Sequence, residues 1–183
     1  MIERSIKALM FADIKGFSKM NERECFAFCS HFHRGVQENV LSRYDDRILL
    51  KNTWGDALHV VMDDIEAAGE MALELRDWMQ SFPWVEHGLR EPPKIRIGLH
   101  AGVVSKVPDP ITGKCNYVGT NTSRAARIEP ISFEGQVFVS RAYAALLTVL
   151  RPKDLCCEYV GLRELPKNYG SLAVYLLRRT RRA

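Results

Sequence analysis

A chain of 183 residues suits one domain, 1–183, with a sizeable core, and 46% apolar with 26% charged residues is ordinary for a soluble globular protein. These figures exclude a fibrous or low-complexity chain. No run is long and apolar enough to span a bilayer, and Glu3, Arg4 and Lys7 break any secretory h-region. The formal charge of +4 is mild; it fits an anionic ligand, though many cytosolic proteins share it. Cys25, Cys29, Cys115, Cys156 and Cys157 lack a paired framework, so the expected setting is the cytoplasm with reduced thiols, no membrane and no nucleic-acid partner. Arg178, Arg179, Arg181 and Arg182 read as a solvated end.

In chain order, Ile6 to Ile14 is an apolar run ending in Asp-Ile-Lys-Gly, the pattern of a buried strand. Asn21 to Arg43 reads as a long helix, with Asn21 as N-cap and Glu24 three residues on. Cys25, Cys29 and His33 share one face of it at i, i+4 spacing; lacking a fourth ligand, they read as packing. Arg47 to Lys51 and Ala57 to Met62 are strands, joined by a turn of Asn52-Thr53-Trp54-Gly55-Asp56. Asp63 or Asp64 caps a second helix running to about Gln80, and Ser81 to Pro93 is an irregular link. Lys94 to His100 is a fourth strand, and Gly102 to Val107 is expected to return beside it. Pro108 to Tyr117 reads as a loop, followed by a helix from about Gly119 to Glu129 that Pro130 stops. Gln136 to Ser140, a short helix, and segments near Tyr159 and Ala173 to Leu177 complete the domain. The opening order, strand–helix–strand–strand–helix–strand, is that of a ferredoxin-like split βαβ core, an α/β (α+β) fold.

In that topology the third strand lies antiparallel between the first and second, so its start abuts the end of the first. Asp13 ends the first strand and Asp56 begins the third, which brings two sequence-distant carboxylates to one sheet edge. Paired oxygen ligands on rigid strands suit Mg²⁺ or Mn²⁺, which keep open positions for phosphate oxygens.

Phe11-Ala12-Asp13-Ile14-Lys15-Gly16-Phe17-Ser18 resembles the first metal-binding motif of class III adenylate and guanylate cyclases, and Thr53-Trp54-Gly55-Asp56-Ala57 the second. Ile95-Arg96-Ile97-Gly98-Leu99-His100-Ala101-Gly102 is similar to the next strand of that family. Asn116-Tyr117-Val118-Gly119, Arg124-Ala125-Ala126-Arg127-Ile128 and Gly135-Gln136-Val137-Phe138-Val139-Ser140 follow in the family's order.

The resemblance implies a nucleotidyl cyclase in which Asp13, Asp56 and the Ile14 carbonyl hold two divalent ions, Mn²⁺ or Mg²⁺. Lys15, Gly16, Phe17 and Ser18 would cradle phosphates at a helix start. Arg127 would stabilise charge on the transferring phosphate. Ser123, four residues earlier on the same helical face, stands where most members carry the ribose-orienting asparagine. Lys167 resembles a late lysine that contacts the terminal phosphates. In the family, metal and arginine halves come from different subunits, which implies a symmetric homodimer with two shared sites.

The base-reading positions depart from both purine patterns. Asn52 and Asn116 stand where adenylate cyclases usually carry lysine and aspartate, and the glutamate of guanylate cyclases is absent. Trp54 replaces a smaller aliphatic residue; it either narrows the slot to a single-ring base or packs on the sheet away from the pocket. An asparagine offers donor and acceptor, matching the uracil edge. These positions lean to UTP and cUMP, then CTP, and resemble the pyrimidine cyclases of bacterial Pycsar anti-phage systems, where a separate effector reads the product. Competing readings are an adenylate cyclase with an unusual pocket and a catalytically silent cyclase-like module. A diguanylate cyclase is disfavoured, because the chain has no Gly-Gly-Asp/Glu-Glu-Phe stretch.

Overall fold

The computed structural model describes residues 3–180. Its elements are β1 (Glu3–Lys15), α1 (Glu22–Asn39), β2 (Ile48–Trp54), β3 (Ala57–Met62), α2 (Ile65–Ser81), β4 (Lys94–Asp109), β5 (Lys114–Val118), α3 (Thr120–Ile128), β6 (Gln136–Ser140), α4 (Arg141–Leu150), β7 (Leu155–Glu164) and β8 (Ser171–Arg179). The strands form one sheet in the order β2-β3-β1-β4-β6-β8-β7, with β5 paired to the far half of β4. Its first four members have the expected split βαβ arrangement.

Alternation along the strands sorts the two faces. Ala8, Met10, Ala12 and Ile14 of β1 join Leu58, Val60, Met62, Ile95, Ile97 and Leu99 in the main core, closed by side chains of α1, α2 and α4. Each large apolar side chain buried there contributes roughly 1.5–3 kcal/mol. On the opposite face Leu9, Leu50, Val61, Val104 and Tyr117 pack with Ala125 of α3. That second face carries the site.

Local chemistry explains most boundaries. Asn21 Oδ1 accepts from the Glu24 N–H at 2.9 Å and Glu24 Oε2 accepts from the Asn21 N–H at 3.2 Å, the capping box expected at the start of α1. Asp64, rather than Asp63, caps α2 by accepting from the Ala67 N–H. The first long helix ends at Asn39, short of Arg43, and gives way to a 3-10 turn at Leu41–Tyr44.

Four expectations are corrected. Gly102 to Val107 does not return beside the fourth strand but continues it: Gly102 lies in β4 opposite Lys7, and β4 runs unbroken for 16 residues. The return strand is β5, inside the segment expected to be a loop, and it pairs with Ser105 to Asp109. The β2–β3 turn is also shorter than expected, because Trp54 already pairs with Ala57. Only Gly55 and Asp56 make the turn, with Gly55 at φ 63°, the positive φ that tight hairpins need at their first central position. Asn52 and Trp54 are therefore strand residues. Arg178 and Arg179 lie in β8, paired with Glu158 and Asp77, rather than in a free tail; Arg181 and Arg182 lie outside the described residues.

Candidate active site

The two aspartates meet as the topology requires. Ala12 pairs with Leu58 across β1 and β3, which sets Asp13 and Ile14 beside the Gly55-Asp56 turn. The Ile14 N–H donates to Asp56 Oδ2 at 3.2 Å. His33 Nε2 of α1 donates to the Gly55 carbonyl at 2.8 Å and so ties the turn to the helix. Burial pushes the Asp56 carboxyl up to about 6, helped by its hydrogen bond with Asp13 and by the Asp13 charge. A buried carboxyl beside a second carboxylate is a donor pair that fits a cation. Among the described residues no group of three or more His, Cys, Asp or Glu forms a closed cage. The donor set thus suits hard ions that keep open positions.

A residue the motif analysis passed over stands in for that cation. Arg96 of β4 lies opposite Asp13 in the sheet register, and its Nη2 is 3.0 Å from Asp13 Oδ2. Its Nε lies 2.8 Å from Glu129 Oε1, both atoms buried and without hydrogen-bond alignment. Burial pushes the Glu129 carboxyl up to about 7; the Arg96 charge opposes this and the Asp13 charge adds to it. The signal was present in the alternation of Lys94, Arg96, Gly98, His100 and Gly102 with buried Ile95, Ile97, Leu99 and Ala101. It puts Arg96 on the same face as Asp13.

The segment Lys15 to Ser18 departs from expectation. It leads into a three-residue 3-10 turn, not an α-helix, after Gly16 at φ 79°. Lys15 forms an ion pair with Glu134. Cys25 and Cys29 lie on α1 with Cys25 Sγ against the Met20 carbonyl and Cys29 packed on the core.

Asn52 and Trp54 fall on the Asp13 face of β2, one half-buried and the other 59% exposed. Trp54 thus keeps most of its surface open on that face. Asn116 sits in β5, where its Oδ1 accepts from the Tyr117 N–H at 2.8 Å. That contact commits the amide oxygen locally and leaves the N–H₂ as the group free of it.

Ser123 and Arg127 share a face of α3, and Ser123 is exposed. Gly98 lets this element lie directly on β4: a Cβ there would stand 2.5 Å from the Glu129 nitrogen. Asn121 locks the other end. Its Nδ2 donates to the Val103 carbonyl at 2.8 Å, which turns its Oδ1 to accept from His100 Nε2 at 3.0 Å; Ser140 Oγ is 2.7 Å from His100 Nδ1. The Arg127 guanidinium lies 5.8 Å from the ring centre of Tyr169, in the β7–β8 loop that also carries Lys167. Lys167 and Asn168 both take left-handed backbone, φ 61° and 56°, which shapes that loop. Arg127 is thus beside the loop that carries Lys167, and Arg96 links Asp13 to Glu129 at the end of the Arg127 helix.

Comparison with known proteins gives the family and the fold. The family model described as the adenylate and guanylate cyclase catalytic domain matches residues 4–178. The adenylate cyclase of Schizosaccharomyces pombe is 26% identical over 176 residues, 86% of this chain and 10% of that protein. The chain spans only 3% and 10% of the length of two curated relatives that it matches. The adenylyl cyclase CyaB of P. aeruginosa superposes with a TM-score of 0.83 at 18% identity, covering 100% of this chain and 98% of that one. The guanylate cyclase domain of RhGC from Catenaria anguillulae, in complex with GTP, gives 0.78 at 21% identity over 97% of this chain and 100% of its own. At these identities the likeness establishes the fold.

Proposed function

The chain belongs to the adenylate and guanylate cyclase catalytic-domain family, and from that premise we propose that it converts a nucleoside triphosphate, UTP by preference, into the 3′,5′-cyclic monophosphate and pyrophosphate. The observation that carries the reading is the Asp13–Asp56 pair, in which burial, with the Asp13 hydrogen bond and charge adding to it, raises the Asp56 carboxyl to about 6.

Asp13 and Asp56, with the Ile14 carbonyl, would hold two divalent ions. The chemistry supplied there by bound cations is Lewis-acid activation of the ribose 3′-hydroxyl and neutralisation of triphosphate charge. The 3′-oxygen loses its proton and attacks the α-phosphorus; the bond to the β-phosphate oxygen breaks and pyrophosphate leaves with that electron pair. Arg127 donates to oxygens that gain charge at the α-phosphorus. Lys167 meets the terminal phosphates, and the backbone from Lys15 to Ser18 offers N–H groups beside them. Ser123 would reach the ribose directly or through water. By resemblance to the family, a symmetric homodimer that supplies the metal and arginine halves from different subunits would complete the site.

The Asn52 amide and the Asn116 N–H₂ offer the base hydrogen-bonding groups, and exposed Trp54 stands where it excludes a second ring. That combination favours uracil, then cytosine. ATP is the second reading, supported by the name of the S. pombe relative. A cUMP product suits a messenger read by a separate effector; the anti-phage setting rests on the likeness of the base positions alone. Incubation with each of the four ribonucleoside triphosphates and Mn²⁺, with products identified by mass spectrometry, tests the reading. Cyclic UMP is expected, and no cyclic product from any substrate rejects it.

A further inference from the structure

Beneath the base-reading strand lies a polar group that the reaction does not use. His59 of β3 is 3% exposed and stacks on Phe11, ring centres 4.0 Å apart and planes 14° apart. Its Nδ1 lies 2.9 Å from the Met10 carbonyl. A carbonyl only accepts, so Nδ1 carries the proton, and burial holds the ring neutral by lowering its pKa. Nε2 is therefore a lone pair, and it is buried without a partner. A buried acceptor left unsatisfied is costly.

The neighbours on this face narrow the choice of donor. Phe11 pairs with His59 from β1 and has none to give. Ala57 and Val61 flank it along β3. From β2, Asn52 stands directly opposite, and residues so paired have Cβ atoms about 4.5–5.5 Å apart. Leu50 and Trp54 lie on the diagonals, and Trp54 is exposed.

We infer that His59 is a positioning residue for base selection: with nucleotide bound, its Nε2 accepts from the Asn52 amide and turns Asn52 Oδ1 toward the base. The inference rests on the nucleotide reading above and deepens it. An asparagine free to flip presents donor or acceptor with little preference. One whose amide nitrogen is anchored on His59 can no longer flip, so Oδ1 holds a fixed place on the base side. At ring N3 uracil carries N–H and cytosine a lone pair, so a fixed acceptor welcomes the first and repels the second.

The test joins kinetics with a spectroscopic signature. His59→Met keeps an apolar body of similar volume and removes the acceptor. The ratio of kcat/KM for UTP over CTP is expected to fall about tenfold, the worth of one mismatched hydrogen bond. An unchanged ratio overturns the inference. Independently, ¹⁵N-histidine spectra of the full chain with α,β-methylene UTP should show the His59 Nε2 resonance moving to a hydrogen-bonded position in wild type and staying put in Asn52→Leu. Identical behaviour in the two, or loss of the change in Trp54→Phe instead, overturns it. A wild type that turns over ATP and not UTP rejects the base assignment. The resonance comparison with the matching ATP analogue then still decides whether His59 holds Asn52.

Discussion

Gly98 carries the sharpest mechanical prediction. An added methyl there would meet backbone, not a yielding side chain: the Glu129 nitrogen at 2.5 Å, the Ile128 carbonyl carbon at 2.9 Å and the Glu129 Cα at 3.0 Å. Ordinary contact begins at 3.4 Å, so the end of α3 must retreat by about 1 Å from β4. Overpacking of this kind costs about 1–3 kcal/mol, against a gain of about 0.4–1 kcal/mol from a less flexible unfolded chain. A net loss of about 1–2 kcal/mol should lower the Tm by about 2–8 °C in a chain of this size. The larger effect is on turnover, because the displaced segment carries Arg127. A misplacement of about 1 Å costs on the order of 100-fold in rate. Thermal unfolding of Gly98→Ala, with cyclisation followed by mass spectrometry, measures both. A variant that melts with wild type and keeps full turnover refutes the claim that this glycine sets the position of α3.

Asp56→Asn should abolish cyclisation without destabilising the metal-free protein above pH 6. A carboxyl raised to about 6 from 3.8 stabilises the fold at low pH and loses that contribution as pH rises through 6, so removing the charge relieves the pair. Mn²⁺ should raise the Tm of wild type and not of this variant; near wild-type turnover would sink the metal assignment. Mixing Asp56→Asn with Arg127→Ala should restore about a quarter of wild-type activity, since half the dimers are mixed and each has one intact site; no recovery after demonstrated subunit exchange counts against the shared site. Trp54→Ala should lose UTP turnover and narrow the gap to ATP in kcat/KM, whereas an unchanged gap removes Trp54 from base selection. His59 and His100 are buried and held neutral below the ordinary imidazole value of 6.5. Stability they support at pH 7 should therefore be lost as pH falls below 6.5, and denaturant titrations showing no such loss would place their protons elsewhere.

The strands, helices and caps were legible because their causes are local. Asn21 and Glu24 announce a capping box, and Gly55 a tight turn, from residues three or fewer apart. Gly102 misled because its missing side chain serves a neighbour remote in sequence: a Cβ there would strike the Asn121 side chain at 2.4 Å. Only when α3 lies on β4 does that constraint exist. The long reach of β4 was hidden for the same reason, since β1, from a distant part of the chain, pairs with it from Lys94 to Lys106.

The sequence by itself determined the fold class and the convergence of Asp13 with Asp56, because split βαβ topology leaves strand ends one arrangement. Tertiary structure decided the electrostatics around them. Arg96 reaches Asp13 and Glu129 only through strand register, Lys15 turns to Glu134 across 119 residues, and His59 loses its partner only when the sheet closes over it. Charge and burial act through space and are steep in distance, so spacing along the chain could name the chemistry but not the groups that tune it.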